Sequence, residues 1–417
     1  MKKHRITLFL LLVTVTAFSQ LAPGKPSENG ISAERLGRVD QMIGDQINKK
    51  MIPGAVVMIV RNGKVIYNKA YGFSDLESQA AMKTNDIFRM ASQTKAITSL
   101  AVMMLFEEGK FLLDDPISAY IPEFKSPKVM VNLNWADTTY TTVPAKSEIT
   151  IRQLLTHSSG IDYASIGSQE MRAIYAKAGV TAGIGDVKKF VLADKIKVLG
   201  GLPLKHQPGE AFTYGLNTDV LGYLVEVLSG MSLDQFFKSR IFQPMGMNDT
   251  YFYIPKEKHS RLVPLYTVNK GVLEKAKPTA QSDMNYPLQN GTYFSGGGGL
   301  SGTIEDYAKF LQLFLNKGEF NGVRLLSRKT IELMLTNQLQ PPIINQWGLG
   351  FELETINSDY RRIASMGTFS WGGAFATDYW ADPKEKLIGL IYTNMYGSPS
   401  RGRSAKFQVL TFQAIVD

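Results

Sequence analysis

In the stretch FRMASQTKAITSL, residues 88–100, a serine and a lysine stand three positions apart, Ser92 and Lys95. Residues three apart on a helix share a face, so the Ser92 hydroxyl and the Lys95 amine can meet. The pair opens an apolar run, AITSLAVMMLF, in which a lysine is costly unless it is paired or neutral. A helix start also presents unpaired N–H groups and a dipole that favour negative charge on a nearby oxygen. The chemistry these residue types permit is nucleophilic attack by Ser92 with Lys95 as proton acceptor. To act as a neutral amine, Lys95 needs a pKa lowered from about 10.4 to about 7, roughly 4.6 kcal/mol, and burial and the helix start act in that direction. A second polar group is needed to carry the proton to the leaving group.

Other chemistries find less support. The 417 residues contain no cysteine, which excludes thiol catalysis, disulfides and a lipidated-cysteine anchor. There is no G-x-S-x-G, H-E-x-x-H or H-x-x-E-H, so a nucleophile-elbow or zinc hydrolase is disfavoured. A Ser-His-Asp triad stays open, because its members need not be neighbours in sequence. No metal or organic cofactor is implied. His157 in LLTHSSG reads as a residue that caps or hydrogen-bonds a turn, Asp219 as a charge at a helix start, and Gly296 to Gly299 as a tight turn near a cleft.

The elements that must position the pair follow from patterning. Lys2, Lys3, His4 and Arg5 precede an apolar run from Ile6 to Phe18, and Ala17 and Ser19 offer small side chains for cleavage, as in a secretory leader over residues 1–19. The run is too short to span a bilayer, and its removal leaves no stable membrane anchor and a periplasmic or secreted bacterial protein as the expectation. Losing its three cations lowers the net charge from +9 to +6, spread without a basic block, so no nucleic-acid partner is expected. Ser32 caps a helix carrying Leu36, Val39, Ile43 and Ile47, and Asn62-Gly63 marks a hairpin. The Ser92 helix runs to Gly109. Residues 115–290 read as a mainly helical lobe, with a flap or small hairpin at 125–148. Strands return in WGLGFELETI, SWGGAFATDYWAD and KLIGLIYTNMYG, and a helix closes residues 403–416. The pattern predicts an α/β fold in one catalytic domain over 20–417. An antiparallel sheet built from 32–114 and 291–417 is flanked by the terminal helices, the helical lobe is inserted, and a cleft lies between the two lobes.

With Ser92-x-x-Lys95 stand LLTHSSGI (154–161), QPGEAFTYGLNTDVLGYLVE (207–226), FQPMGMNDT (242–250), GGGGLSGTIEDYAKFLQ (296–312) and WGGAFATDYWADP (371–383). In order and spacing these resemble the serine β-lactamase and penicillin-binding-protein superfamily over roughly residues 32–415, especially its class C-like branch and the related family VIII type carboxylesterases. The resemblance implies a β-lactamase/transpeptidase-like fold. It makes Tyr214 the phenol that exchanges protons with Lys95 and the leaving group, and it places the oxyanion hole at the backbone N–H groups of Ser92 and Ala374.

Two departures bear on substrate. The asparagine expected two residues after the tyrosine is displaced, since Leu216 holds that position and Asn217 follows one residue late as the candidate amide for substrate. The lysine or histidine of the family's third motif is replaced by Trp371, followed by Gly372 and Gly373, whose missing side chains let a substrate lie close to the strand. Penicillins and D-alanyl-D-alanine peptides carry a carboxylate that such a cation would hold, whereas a neutral ester needs none. The expectation is therefore a carboxylesterase that works through an acyl-enzyme on a small-molecule ester or amide. A D-alanyl-D-alanine carboxypeptidase, a D-amino-acid peptidase or a weak β-lactamase stands behind it. The rival of another class is a noncatalytic binder of cell-wall fragments, disfavoured by the joint presence of Ser92, Lys95 and Tyr214. Oligomeric state is not legible.

Overall fold

The computed structural model describes residues 21–181, 183–184, 190–277, 283–397 and 401–417. The leader expected at 1–19 lies outside them. A mixed sheet forms the frame, from β1 (Ala22–Pro23), β2 (Gly54–Arg61), β3 (Lys64–Asp75), β4 (Glu352–Leu353), β5 (Phe369–Gly373), β6 (Thr377–Asp382) and β7 (Leu387–Tyr392). Their spatial order is β1-β3-β2-β7-β6-β5-β4, with Ala80–Ala81 added on β3. All pairs are antiparallel except β1 with β3. The two ends of the chain meet where β2 pairs with β7, Val56 opposite Tyr392 and Arg61 opposite Leu387.

Strand β2 shows why the fold has layers. All eight of its residues are buried, which requires cover on both faces. Val56, Met58 and Val60 enter the large core, while Ala55, Val57 and Ile59 enter the smaller one, in the two-residue alternation of a strand. Each such valine or isoleucine contributes about 1.5–3 kcal/mol by burial. The smaller core is closed by Leu36, Val39, Met42 and Ile43 of α1 (Ala33–Asn48) and by Phe407 and Phe412 of α5 (Arg401–Phe412). Helix α1 begins where the Ser32 side chain accepts a hydrogen bond from the Arg35 N–H. The β2–β3 turn is Asn62-Gly63, both at positive φ (54° and 75°) as a tight hairpin requires.

On the opposite face lie α2 (Thr94–Glu107), α3 (Asn217–Ser229) and α4 (Ile304–Leu315). Helix α2 is buried on every side from Thr94 to Leu105, as expected of a helix apolar all round. It packs on α3, so the core runs unbroken from the sheet into the inserted residues.

Local structure departs from the sequence reading in three places. SWGGAFATDYWAD is a hairpin, not one strand: β5 ends at Gly373, β6 begins at Thr377, and Ala376 takes φ 57° in the turn. WGLGFELETI yields only the two-residue edge strand Glu352–Leu353, because the chain turns at Gly350 (φ 106°) and Trp347 bridges back to Glu352. The insertion is not wholly helical. It contains the hairpin Lys128–Asn134/Thr139–Pro144 at the expected flap, a second pair Tyr266–Asn269/Val272–Lys275, and Thr250–Tyr251, which joins a small sheet with Phe88–Arg89 and Ser301–Gly302.

Candidate active site

Ser92 lies in a single 3₁₀ turn, Ala91–Gln93, that leads into α2. The turn begins with Ala91 at φ 45°, a left-handed conformation uncommon for a residue with a side chain. Ser92 is partly exposed while Ala91 and Gln93 are fully buried, so the turn leaves one side chain of the three open to solvent. Strand β5 runs beside it: a Cβ on Gly373 would collide with the Met90 carbonyl oxygen and with Thr377 Oγ1. Glycine there permits the close approach, and it sets the exposed Ala374 at the adjacent turn.

Lys95 is the second residue of α2 and is 2 % exposed. Its Nζ donates to the Gly297 carbonyl oxygen at 2.6 Å, contacts Tyr163 Oη at 3.5 Å and hydrogen-bonds Tyr214. It lies 4.6 Å from the Tyr214 ring centroid, and the Tyr163 ring stacks on that of Tyr214 at 5.8 Å. The tyrosine named from the sequence therefore comes to the lysine across some 120 residues of chain.

The charge on Lys95 runs against the sequence expectation. Burial pushes its pKa down, but Tyr163, Tyr214 and the Asp219 carboxylate outweigh burial and hold it above the ordinary lysine value. The direction is opposite to the lowering expected from residues 88–100 alone. Asp219 stands in the first turn of α3, as expected of a charge at a helix start. It is fully buried, accepts from Ser295 Oγ at 2.7 Å, and has its carboxyl pKa raised by burial against the lowering pull of Ser295 and Lys95. The glycine run is explained by the same cluster. A Cβ on Gly297 would strike Asp219 Oδ2, and the Gly297 and Gly296 carbonyls accept from Lys95 and from Thr98 Oγ1.

The segment carrying Tyr214 is stitched to the LLTHSSGI segment. The Thr213 N–H donates to the His157 carbonyl at 2.7 Å and the Leu216 N–H to the Asp162 carbonyl at 3.2 Å. His157 is buried, and its Nδ1 accepts from Asn217 Nδ2 (3.0 Å) and from the Gly215 N–H (3.4 Å), which places the ring proton on Nε2. Burial, with the nearby Lys95 charge, holds the His157 pKa well below its usual value, so the ring is neutral. Its centroid is 4.7 Å from that of Tyr214.

Asn217 differs from its expected role. It is fully buried at the first turn of α3, with Nδ2 on His157 and Oδ1 accepting from Ser159 Oγ at 2.5 Å. Its one-residue displacement turns the amide into the core, where it braces the Tyr214 loop rather than facing substrate.

Trp371, partly exposed on β5, donates from Nε1 to Tyr214 Oη at 3.2 Å. Its ring meets Tyr214 at 5.3 Å and Trp347 edge-on at 4.6 Å. Trp347 in turn contacts His157 and Phe212. The surroundings of Tyr214 are thus aromatic. The sequence reading singled out neither Trp347 nor Phe212, although Phe212 stands two residues before Tyr214 and Trp347 opens WGLGFELETI; only the fold brings the two rings together. Among the described residues no group of three His, Asp or Glu side chains is placed to hold a metal ion.

The chain is similar to several known proteins. The chain is 32% identical over 357 residues to Protein Rv1367c of Mycobacterium tuberculosis, covering 82% of this chain and 85% of that one. It is 28% identical over 381 residues to Esterase EstB of Burkholderia gladioli, covering 87% and 91%. The solved structure of EstCE1, a hydrolase with promiscuous acyltransferase activity, superimposes with TM-score 0.78 at 26% identity, covering 91% of this chain and 99% of that one. Since the family model described as Beta-lactamase also matches residues 39–412, the chain belongs to the beta-lactamase family.

Proposed function

We propose that this protein is a serine hydrolase that works through a covalent acyl-enzyme, and that it is a carboxylesterase acting on small neutral esters. The observation that carries the reading is the convergence of buried Lys95 and the Tyr214 phenol at the turn bearing Ser92, with the Trp371 indole bonded to that phenol where a substrate-binding cation would stand. Likeness to EstB and EstCE1 supports the esterase assignment.

In its reactive form the Lys95–Tyr214 pair is one proton short, and that pair takes the Ser92 proton. Ser92 Oγ attacks the ester carbonyl. The backbone N–H groups of Ser92 and Ala374 hold the oxyanion, and Tyr214 returns the proton to the departing alcohol. Water then attacks the acyl-enzyme by the reverse proton path. Gly372 and Gly373 keep β5 open beside the substrate. The apolar, basic-headed leader at residues 1–19, outside the described residues, supports export to the periplasm or the medium.

The test is a panel of short-chain nitrophenyl esters, a chromogenic cephalosporin and D-alanyl-D-alanine peptides, with Ser92→Ala as control. Ester turnover that is lost in Ser92→Ala supports the assignment. Faster turnover of the cephalosporin or the peptide assigns the site to a β-lactamase or peptidase instead. Failure of a fluorophosphonate to label Ser92 refutes the acyl-enzyme.

A further inference from the structure

We infer that Tyr307 and Tyr392, neither of which reaches substrate, are positioning residues that clamp the strained turn presenting Ser92 and so set its reactivity. The inference rests on Ser92 being the nucleophile. Ala91, immediately before it, is fully buried at φ 45°. For alanine this left-handed conformation is disfavoured roughly ten-fold relative to glycine, so the turn relaxes unless the surroundings over-determine it.

Gln93, immediately after Ser92, is where the surroundings take hold. Its backbone carbonyl accepts from Tyr307 Oη at 2.9 Å, and its side-chain Oε1 accepts from Tyr392 Oη at 2.5 Å. The phenols come from separate elements, Tyr307 from α4 and Tyr392 from the last position of β7. Both side chains are completely buried, so each hydrogen bond forms without competing water. Their supports are rigid. Tyr307 packs on Tyr379 of β6 at 5.0 Å, and Tyr392 meets Phe88 edge-on at 5.4 Å. Burial raises both phenol pKa values well above 10, so both remain protonated donors across the working pH range. Neither touches Lys95, Tyr214 or Trp371 through any contact described above. Their effect on chemistry must pass through Gln93 and the turn.

The clamp predicts a rescue that a merely structural role does not. In Tyr307→Phe/Tyr392→Phe both hydroxyls are lost, Ala91 can relax, and Ser92 leaves its presented position. The rate constant for fluorophosphonate labelling of Ser92 should fall about ten-fold or more, and kcat for a nitrophenyl ester should fall with it while KM changes less than about two-fold. Adding Ala91→Gly removes the penalty on positive φ and should restore most of the lost labelling rate. Stability lost with the two buried hydrogen bonds should not return.

Wild-type labelling that fails altogether overturns the Ser92 assignment and is seen before any variant is made. With wild type labelled, two results overturn the clamp: labelling of the double variant at the wild-type rate, or a loss that Ala91→Gly leaves unchanged. If the double variant does not fold, each single Tyr→Phe variant carries the same comparison with and without Ala91→Gly.

Discussion

Replacing His157 with asparagine should flatten the protein's loss of stability in acid. In the native protein His157 is buried, accepts two N–H groups at Nδ1, and has its pKa held well below 6.5 by burial and by Lys95. An unfolded chain has no such constraint, and its histidine protonates near pH 6.5. The depressed native pKa means that below pH 6.5 the unfolded state binds a proton the native state refuses, so stability present above that pH is lost as pH falls. The slope for one such group is about 1.36 kcal/mol per pH unit, so between about pH 6.5 and pH 5.0 the native state should lose about 2 kcal/mol through His157 alone. Asparagine places Oδ1 where the imidazole has Nδ1, accepts from the same Asn217 and Gly215 donors, tolerates the φ of 54° at this position, and cannot titrate. Urea unfolding of both proteins at pH 7.5 and 5.0 cancels the carboxylates common to both. The wild type should lose about 2 kcal/mol more than His157→Asn across that interval. Equal losses would refute the claim that the ring is buried neutral and that its Nδ1 is an acceptor.

Lys95→Ala should reduce kcat/KM for esters by about 10²–10⁴-fold, the span of a lost proton-transfer group, as read by steady-state kinetics. Trp371→Lys should put an ammonium beside the cleft and raise kcat/KM for a carboxylate-bearing ester about ten-fold relative to its neutral methyl ester; an unchanged ratio would count against the missing cation as the selector. Gly373→Ala should drive β5 away from the Met90 carbonyl and Thr377 Oγ1, lowering kcat more than it raises KM and costing about 1–3 kcal/mol in unfolding measurements.

What could be read from the sequence was what neighbours in the chain decide. The Ser32 cap, the Asn62-Gly63 turn and the apolar wrap of α2 depend on a few adjacent residues, and the structure forms each where the pattern indicates. Motif order added Tyr214, which no local pattern could have tied to Lys95. The misread segments are those where local pattern is ambiguous. SWGGAFATDYWAD alternates well enough for one strand, yet its Gly-Gly-Ala-Phe-Ala centre is a turn closed by the Ala376 N–H on the Gly373 carbonyl at 3.0 Å. Asn217 lies one residue from its expected place, and on a helix one residue is about 100° of rotation, enough to exchange a cleft-facing amide for one held by His157 and Ser159.

The charge of Lys95 shows why the site's electrostatics were the least legible part. From residues 88–100 alone, burial is the one effect in view, and burial lowers a lysine pKa. The groups that reverse the sign enter from Tyr163, Tyr214 and Asp219, and the acceptor that fixes the amine is the Gly297 carbonyl, 202 positions away in sequence. Each comes with its own local reason to be where it is: a tyrosine in a loop stitched to His157, an acid in the first turn of α3, a glycine where a side chain would strike that acid. Only their convergence turns the shift upward. The proton that leaves Ser92 goes to the Lys95–Tyr214 pair, and the indole N–H of Trp371 donates to the oxygen of that pair. The residue that replaces the family's substrate-binding cation therefore also bears on the proton acceptor, so substitutions at position 371 should move the pH dependence of kcat as well as substrate preference.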